Sequence, residues 1–353
     1  MDYGIFMPPV ASSWQVVKRA EELGFSRAWF YDTQMLNSEL FTIMGATAMV
    51  TKKIRLGTGV MIPSNRIAPV AASGLATLNA LAPGRIDWGL STGSTARSTM
   101  GLTRGKQADL EEYVRVVQGL LAGDTLEWTF EEKQRKIRFM DPDIGAINIK
   151  DPIPLHISAF GPKGRAMIAR LGAGLIDVPG NVEHARKNID ELKVAWIAAG
   201  NKPEDLQVTA ACSGCILKEG ESADSPRVKS IAGPAAMILM HKLGEQAKGT
   251  PPRPMPPQFQ PLVDRYKEIY ESYRPEDARY LTNHKGHLMY LRPEEHEVCT
   301  GDLIKATTMT CTKAEMQERI REMSRAGVTH FAPQITYRDP EVLEDWFEVF
   351  NGV

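Results

Sequence analysis

Polar residues lie at the end of the segment "AWFYD", whose first four residues have the composition of a buried strand. Asp32 ends the run, and Thr33 and Gln34 come directly after it. A carboxylate at the carboxyl end of a parallel strand is a frequent catalytic or binding group, although Asp also caps loops. We expect Asp32 to contact a bound ligand. Asp32 and Gln34 are therefore our first catalytic candidates.

Two loops rich in small residues offer a place for a phosphate. The segment "GLSTGSTARSTMGL" covers residues 89–102, and "SAFGPKGRAM" covers residues 158–167 just before a predicted helix. Small side chains let an anion approach the backbone, and the first turn of a helix has free amides, although such loops are also ordinary turns. The binding candidates in and beside these loops are Ser91, Thr92, Gly93, Ser94, Ser158, Ala159, Phe160, Gly161, Pro162 and, after the sixth strand, Gly180. Lys163 and Arg165 would add positive charge.

A histidine-containing segment, "NHKGHLMYLRPEEHE" at residues 283–297, raises the question of a metal. His284 and His287 are three residues apart, with Glu294 and His296 behind them. No clear helix places both rings on one face, so we expect no metal site. His287 is instead a candidate proton donor in a substrate cavity, and the alternative is that these histidines lie on the surface.

The four cysteines are predicted to be free thiols. Cys212 and Cys215 have the spacing of a redox or zinc pair, but they lie in an apparent strand, where residues three apart face opposite sides. Four cysteines in 353 residues are also too few for a disulfide scaffold.

Strand and helix patterns alternate along the chain, which is typical of a parallel sheet. The predicted strands are Tyr3–Met7, Ala28–Tyr31, Ile54–Val60, Ile86–Leu90, Leu155–Ser158, Leu175–Val178, Val208–Ile216 and His330–Ile335. The predicted helices lie near residues 13–23, 39–50, 68–81, 106–122, 162–171, 183–199, 312–326 and 340–350. Eight of each predict a closed (β/α)₈ TIM barrel. A hairpin is expected within 124–150, and an insertion near 217–311, with helices at 231–246 and 261–272, before the last strand.

Composition limits the classes of function. The chain has 42 Lys and Arg against 43 Asp and Glu, so it has no broad basic surface for nucleic acid. No apolar run approaches the ~20 residues that cross a bilayer, and the first residues do not resemble a signal peptide. We therefore expect a single cytoplasmic domain, residues 1–353, that acts on a small organic molecule.

The stretch "LGTGVMIPSNR", residues 56–66, has two glycines at the end of a predicted strand. Gly57 and Gly59 could form a simple bulge, or they could leave room for a ligand against the backbone. The residues by themselves leave both interpretations open.

Several ordered segments resemble the luciferase-like flavin and deazaflavin oxidoreductases, which include bacterial luciferase and methylenetetrahydromethanopterin reductase. They are "YGIFMPP", "AEELGFSRAWFYD", "IRLGTGVMIPSNRIAPVAASGLATLNALAPGRIDWGLSTG", "PLHISAFGPKGRAMIARLGAGLIDV" and "AGVTHFAPQI". The resemblance implies a TIM barrel with a cis peptide at Gly59–Val60 that supports the cofactor ring from behind. It also implies that Asp32 contacts the ring edge or its pocket, and that the two small-residue loops bind the ribityl chain and phosphate.

The resemblance favours hydride transfer with the deazaflavin coenzyme F420. In the related dehydrogenases a histidine often follows the acid, whereas this chain has Thr33 and Gln34, so another proton donor is needed. The alternative is a reduced-FMN- and oxygen-dependent monooxygenase supplied by a partner reductase. A catalytically inactive flavin-binding protein and a metal-dependent barrel hydrolase are less favoured. Relatives commonly form homodimers, which we also expect here.

Overall fold

Eight parallel strands close into a barrel in the computed structural model, which describes residues 1–246, 256–336 and 341–353. The barrel strands, in spatial order, are β1 (Asp2–Met7), β2 (Arg27–Phe30), β3 (Arg55–Thr58), β4 (Ile86–Leu90), β7 (Leu155–Ile157), β8 (Gly174–Asp177), β9 (Val208–Cys212) and β12 (His330–Pro333). Strand β12 pairs with β1 and closes the circle. The predicted TIM barrel is confirmed.

Helices surround the barrel and cover its mouth. They are α1 (Ser13–Glu22), α2 (Leu40–Val50), α3 (Ala68–Leu81), α4 (Thr95–Ser98), α5 (Gln107–Leu121), α6 (Pro162–Leu171), α7 (Val182–Ala198), α8 (Pro226–Gly244), α9 (Gln260–Ser272), α10 (Tyr280–Asn283), α11 (Gly301–Thr307), α12 (Lys313–Ala326) and α13 (Val342–Phe350). Local sequence explains the ends of α12: Thr312 and Glu315 form a capping box, and Gly327 at φ 108° ends the helix.

Alternating side chains divide the strands between two cores. In β1, Ile5 and Met7 pack outward against the helices, whereas Phe6 points into the barrel with Trp29. The inner cluster also contains Ile176 and Ala332, and Val60 packs against it. The barrel is therefore filled with side chains. At the carboxyl ends of the strands, which we call the barrel mouth, these side chains form the floor.

A buried polar layer lies inside the barrel. The Asp87 carboxylate is 2.8 Å from Arg55 Nε and 3.1 Å from Arg27 Nε, and it is fully buried. His156 Nε2 is 3.6 Å from the same carboxylate. Burial opposes the charge on Asp87 and would raise its pKa. The contacts with His156 and the two arginines outweigh burial and hold the pKa of Asp87 well below the usual value.

One predicted strand is interrupted in the structure. The segment Val208–Ile216 is not one strand: β9 ends at Cys212, and Ile216–Leu217 (β10) pairs separately with Cys311–Thr312 (β11). The chain leaves the barrel after Cys212 because the next residues bond to the loop at 309–310. The Met309 amide donates to the Ser213 carbonyl at 2.8 Å, and the Cys215 amide donates to the Thr310 hydroxyl at 3.1 Å.

The two predicted additions to the barrel are present. Strands β5 (Leu126–Phe130) and β6 (Lys133–Ile137) form the antiparallel hairpin after α5. Between β10 and β11 the chain forms α8 to α11, and α8 begins at Pro226, five residues before the predicted start, because the Ser225 side chain accepts from the Val228 amide. Residues 247–255 of this insertion and 340, the predicted start of the last helix, lie outside the described residues.

The four cysteines are free thiols, as predicted, and all four are buried. Among the described residues, none of the helices combines the length and the apolar composition that crossing a membrane requires.

Candidate active site

Asp32 lies at the barrel mouth, and its carboxylate is paired with an arginine. Arg66 Nη1 is 3.0 Å from Oδ1 and 2.9 Å from Oδ2 of Asp32, and the Ile62 amide donates to Oδ2 at 3.4 Å. Arg66 also bonds to the exposed Glu39 and lies over the Phe41 ring at 4.6 Å. Burial raises the pKa of Asp32, and the Arg66 guanidinium offsets part of that rise. Contact between Asp32 and a ligand remains a prediction.

Gln34 joins three loops at the mouth. Its side-chain amide donates to the Ala96 carbonyl, and its oxygen accepts from Asn65 Nδ2 at 2.8 Å. Both ends of the amide are therefore used by the protein. This arrangement suits a residue that positions the loops; the catalytic role that we predicted for Gln34 remains untested.

The end of β3 has the geometry expected from the resemblance. The peptide bond between Gly59 and Val60 is cis. The Gly59 amide still donates to the Phe30 carbonyl at 2.7 Å, and the Met61 amide donates to the Gly89 carbonyl at 2.9 Å, so Val60 lies between two neighbouring strands. Both Gly59 and Val60 are only half-buried, which leaves the apolar Val60 side chain available at the floor of the mouth.

The loop after β4 is shorter than the segment 89–102 that was predicted to bind an anion. Its second part forms α4, where the Ser94 carbonyl accepts from the amides of Arg97 and Ser98, at 3.2 and 2.9 Å. Ser91 Oγ accepts from the Gly93 amide at 3.2 Å. Arg97, on α4, donates from Nε to the Thr103 carbonyl, whereas Arg104 Nη2 reaches Ser94 Oγ at 3.5 Å. The candidates Ser91, Thr92, Gly93 and Ser94 therefore remain together, with Arg104 beside Ser94.

The amino end of α6 presents small residues and no capping side chain. Gly161 is its N-cap at φ 84°, and a Cβ there would meet no atom within 4 Å. Pro162 occupies the first turn, as predicted. Of the two predicted cations, Lys163 is exposed, but Arg165 bonds to Glu191 at 2.6 Å and so is directed away to α7.

Apolar side chains stand exposed around the same mouth. Phe160, after β7, is 53% exposed, and Met35 and Val178, after β2 and β8, are 68% and 61% exposed. Ser158 is half-buried and Ala159 is buried. Because large exposed apolar groups in one place mark binding sites more often than scattered ones do, this rim suits a flat apolar ligand.

A cavity of about 300 Å³ extends from the mouth under the insertion. Gly180 and Ser213 line it on the barrel side, and Ile238, Lys242 and Met309 line it on the insertion side. Gly180, predicted to close the cofactor side, therefore borders this cavity.

Two of the three histidines considered from the sequence, His284 and His287, are buried and not on the surface. His284 and His287 are 5% and 8% exposed, and they surround His241 of α8, which sequence reasoning did not include. His287 Nδ1 is 3.3 Å from His241 Nδ1, and His287 Nε2 is 3.1 Å from Thr95 Oγ1. His296, the other histidine considered, is exposed. The histidine cluster therefore contacts the barrel mouth through His287 and Thr95, the first residue of α4.

Sequence reasoning also missed Arg66, the partner of Asp32. The pair is separated by 34 residues, but both follow adjacent strands, β2 and β3. An Arg within the "IPSNR" segment that carries the family resemblance was the available signal.

These residues fit a flavin-type cofactor. The Gly161 position is open where a side chain would otherwise stand, the loop at Ser91–Ser94 has hydroxyls and a nearby arginine, and the floor and rim are apolar. A tricyclic ring with a phosphate-bearing chain requires these three features in one mouth.

Comparisons with known proteins agree with this fit. A 5,10-methylenetetrahydromethanopterin reductase of Methanolobus tindarius is 29% identical over 263 residues, which cover 70% of this chain and 77% of that protein. The reductase of the same name from Archaeoglobus fulgidus is 26% identical over 343 residues, 93% of this chain and 92% of its own. The solved coenzyme F420 dependent tetrahydromethanopterin reductase of Methanopyrus kandleri has a TM-score of 0.72 at 20% identity, covering 98% of this chain and 97% of its own, so it shows the shared fold.

The family model described as luciferase-like monooxygenase matches residues 4–330, nearly the whole chain. Together with the closed barrel and the mouth described above, this match identifies the family. The chain belongs to the luciferase-like monooxygenase family.

Proposed function

We propose that this protein is an oxidoreductase that uses coenzyme F420 to exchange a hydride with a small organic substrate. The observation that carries the proposal is the mouth itself, in which an apolar floor at Val60 and an apolar rim at Phe160 adjoin two small-residue loops. Similarity to a 5,10-methylenetetrahydromethanopterin reductase over 93% of the chain, with the fold shared with a coenzyme F420 dependent reductase, supports F420 as the cofactor. Bound F420 would supply a two-electron hydride acceptor or donor.

The protein's own residues would bind and orient the cofactor. Val60 would support the ring from one side, and Phe160 would cover apolar surface at the rim. Ser91, Ser94 and the first amides of α6 would hold the negatively charged chain, with Arg104 and Lys163 as nearby cations. Gln34 would keep the loops after β2, β3 and β4 together through its bonds to Asn65 and Ala96.

The substrate would enter between the ring and the insertion. The cavity lined by Gly180, Ile238 and Lys242 has room for a small organic molecule and joins the mouth to α8. Its mixed apolar and cationic lining favours a substrate with an apolar body and a polar or acidic group. A homodimer and a cytoplasmic location remain predictions.

The test is a binding titration of the purified full chain with oxidised F420 and, separately, with oxidised FMN, followed by cofactor fluorescence. The proposal predicts tighter binding of F420. Equal affinities or tighter binding of FMN would contradict it and would favour the alternative, an FMN- and oxygen-dependent monooxygenase that needs a partner reductase.

A further inference from the structure

The insertion brings three histidines to one buried point. His241 lies on α8, and His284 and His287 lie just after α10. Each ring offers one nitrogen to the cluster, and these three nitrogens all lie within 4.8 Å of one another. All three rings are at most 8% exposed, so bulk water does not compete for these nitrogens.

The nitrogen spacing suits a metal ion. His241 Nδ1 and His287 Nδ1 are 3.3 Å apart. Two imidazole nitrogens that bind one tetrahedral zinc at ~2.0–2.1 Å stand roughly 3.3–3.4 Å apart. The pair therefore already has the separation of two ligands of one ion.

Each ring has an outer partner on its other side. His241 Nε2 is 2.6 Å from Glu295 Oε1, His284 Nε2 is 2.7 Å from Glu245 Oε1, and His287 Nε2 is 3.1 Å from Thr95 Oγ1. Metal-binding histidines are usually held in this way, because a carboxylate or hydroxyl that accepts from one nitrogen orients the other toward the ion. Glu245 also offsets the charge of a dication, whereas Glu295 is paired with Arg292 at 2.6 Å.

A chain of hydrogen bonds without a metal accounts for only part of this arrangement. His287 could donate from Nδ1 to His241, and Thr95 could donate to His287 Nε2. His284 has no such place: its Nε2 lies 2.7 Å from Glu245 Oε1, and its other ring nitrogen, Nδ1, is buried and has no hydrogen-bond partner among the described residues. An unpaired buried lone pair is costly, and a metal ion would use it.

We propose that His241, His284 and His287 form a binding site for a divalent transition metal, with zinc as the preferred ion. Three imidazoles favour zinc, cobalt, nickel or copper over magnesium and calcium, which prefer oxygen ligands. The fourth position is left for water or for an oxygen of a bound molecule. In this site His287 is a ligand and not the proton donor predicted from the sequence.

The ion would fasten the insertion over the barrel mouth. His241 comes from α8, whereas His287 contacts α4 through Thr95, and the next residue, Leu288, accepts from Gln334 Nε2 at 2.9 Å beyond β12. Metal binding is therefore expected to stabilise the folded protein, and it is independent of the proposed F420 chemistry.

The test uses untagged full-length protein that has been stripped with a chelator, because a polyhistidine tag would bind the same ions. Cobalt is titrated as a visible probe and zinc is then added as the competitor. We expect about one cobalt per chain with the strong visible absorption of a tetrahedral complex, its loss when zinc displaces cobalt, and a higher melting temperature with zinc.

Three variants make the result specific. His284→Gln should abolish the cobalt absorption, and Glu245→Gln, which changes only an outer partner, should weaken cobalt binding by roughly 10–100-fold. His296→Gln is the matched control, an exposed histidine of the same segment, and should bind like the wild type. Lack of stoichiometric binding by the wild type, or wild-type binding by His284→Gln, would overturn the site. The F420 titration on the same stripped protein reports separately on the proposed function.

Discussion

Arg66 contacts both carboxylate oxygens of Asp32, and it also bonds to Glu39. The two acids differ in burial: the side chain of Asp32 is 4% exposed, and that of Glu39 is 51% exposed. One arginine thus supports a buried and an exposed ion pair, which allows the two to be compared within one protein.

Replacing Asp32 should cost far more stability than replacing Glu39. Asp32→Asn leaves Arg66 largely buried without its main partner, and we expect a loss on the order of 3 kcal/mol in the free energy of unfolding. Glu39→Gln removes an exposed charge but keeps an oxygen for the Thr42 amide, so about 1 kcal/mol or less is expected. Urea denaturation of the three proteins measures both values. Equal losses would show that burial does not decide the strength of these pairs.

The buried Asp87 should make the protein sensitive to acid. Its pKa is depressed in the folded state, so its ionised form contributes stability above the unfolded pKa of about 3.9, and that contribution is lost as the pH falls toward the folded pKa. The difference in unfolding free energy between wild type and Asp87→Asn should therefore be constant near neutral pH and shrink below about pH 4. Urea denaturation at a series of pH values measures the difference. A gap that stays the same in acid would mean that the pairs with Arg27 and Arg55 do not depress this pKa.

A side chain at Gly59 should destabilise the barrel. A Cβ there would lie 2.5 Å from Phe6 Cε1 and 2.8 Å from Trp29 Cβ, both in the buried inner cluster. We expect Gly59→Ala to cost about 1–3 kcal/mol through overpacking, and Phe6→Leu in the same chain to recover part of the loss. Thermal unfolding of the single and double variants provides the measurement.

Gly45→Ala is the matched control for Gly59→Ala. Gly45 lies within α2, and an added Cβ would have only ordinary contacts, at 3.8 Å or more. This change should be neutral or should stabilise by up to about 1 kcal/mol. If both alanines have the same effect, close packing does not explain why residue 59 is a glycine.

Phe160 should contribute to cofactor affinity without contributing to stability. Its ring is 53% exposed at the rim, so Phe160→Ala removes few packed contacts. If the ring covers apolar cofactor surface, its removal should weaken F420 binding by about tenfold, which corresponds to ~1.4 kcal/mol. Met140→Ala, another exposed apolar residue at 79% exposure, is the control and should leave F420 affinity unchanged. Unchanged affinity in Phe160→Ala would remove this residue from the site.

The barrel and its mouth could be predicted because their signals are local. Alternating strands and amphipathic helices predicted the eight units, and the family resemblance of the motifs around Gly59 implied the cis Gly59–Val60 bond, which the residues by themselves had left open. The ends of the strands were less certain, because the turn at 213–215 depends on bonds to residues 309–310, nearly a hundred positions later.

The histidine cluster could not be predicted in the same way. His241 and His287 are 46 residues apart, and only the packing of α8 against the 284–287 segment brings their nitrogens together. His284, His287, His296 and Glu294 are close in sequence, and they were the only ligands from which the absence of a metal site was predicted. Likewise, Arg165 looked available for an anion until the fold placed Glu191 beside it.

Hydrogen–deuterium exchange with competing cofactors tests the central claim most directly, because it reports affinity and location together. At a concentration where F420 saturates the protein, we predict slower exchange in residues 57–62, 91–95 and 158–164, and little change with FMN at the same concentration. No protection of these segments by F420, or equal protection by FMN, would contradict the claim that this barrel mouth is a deazaflavin site.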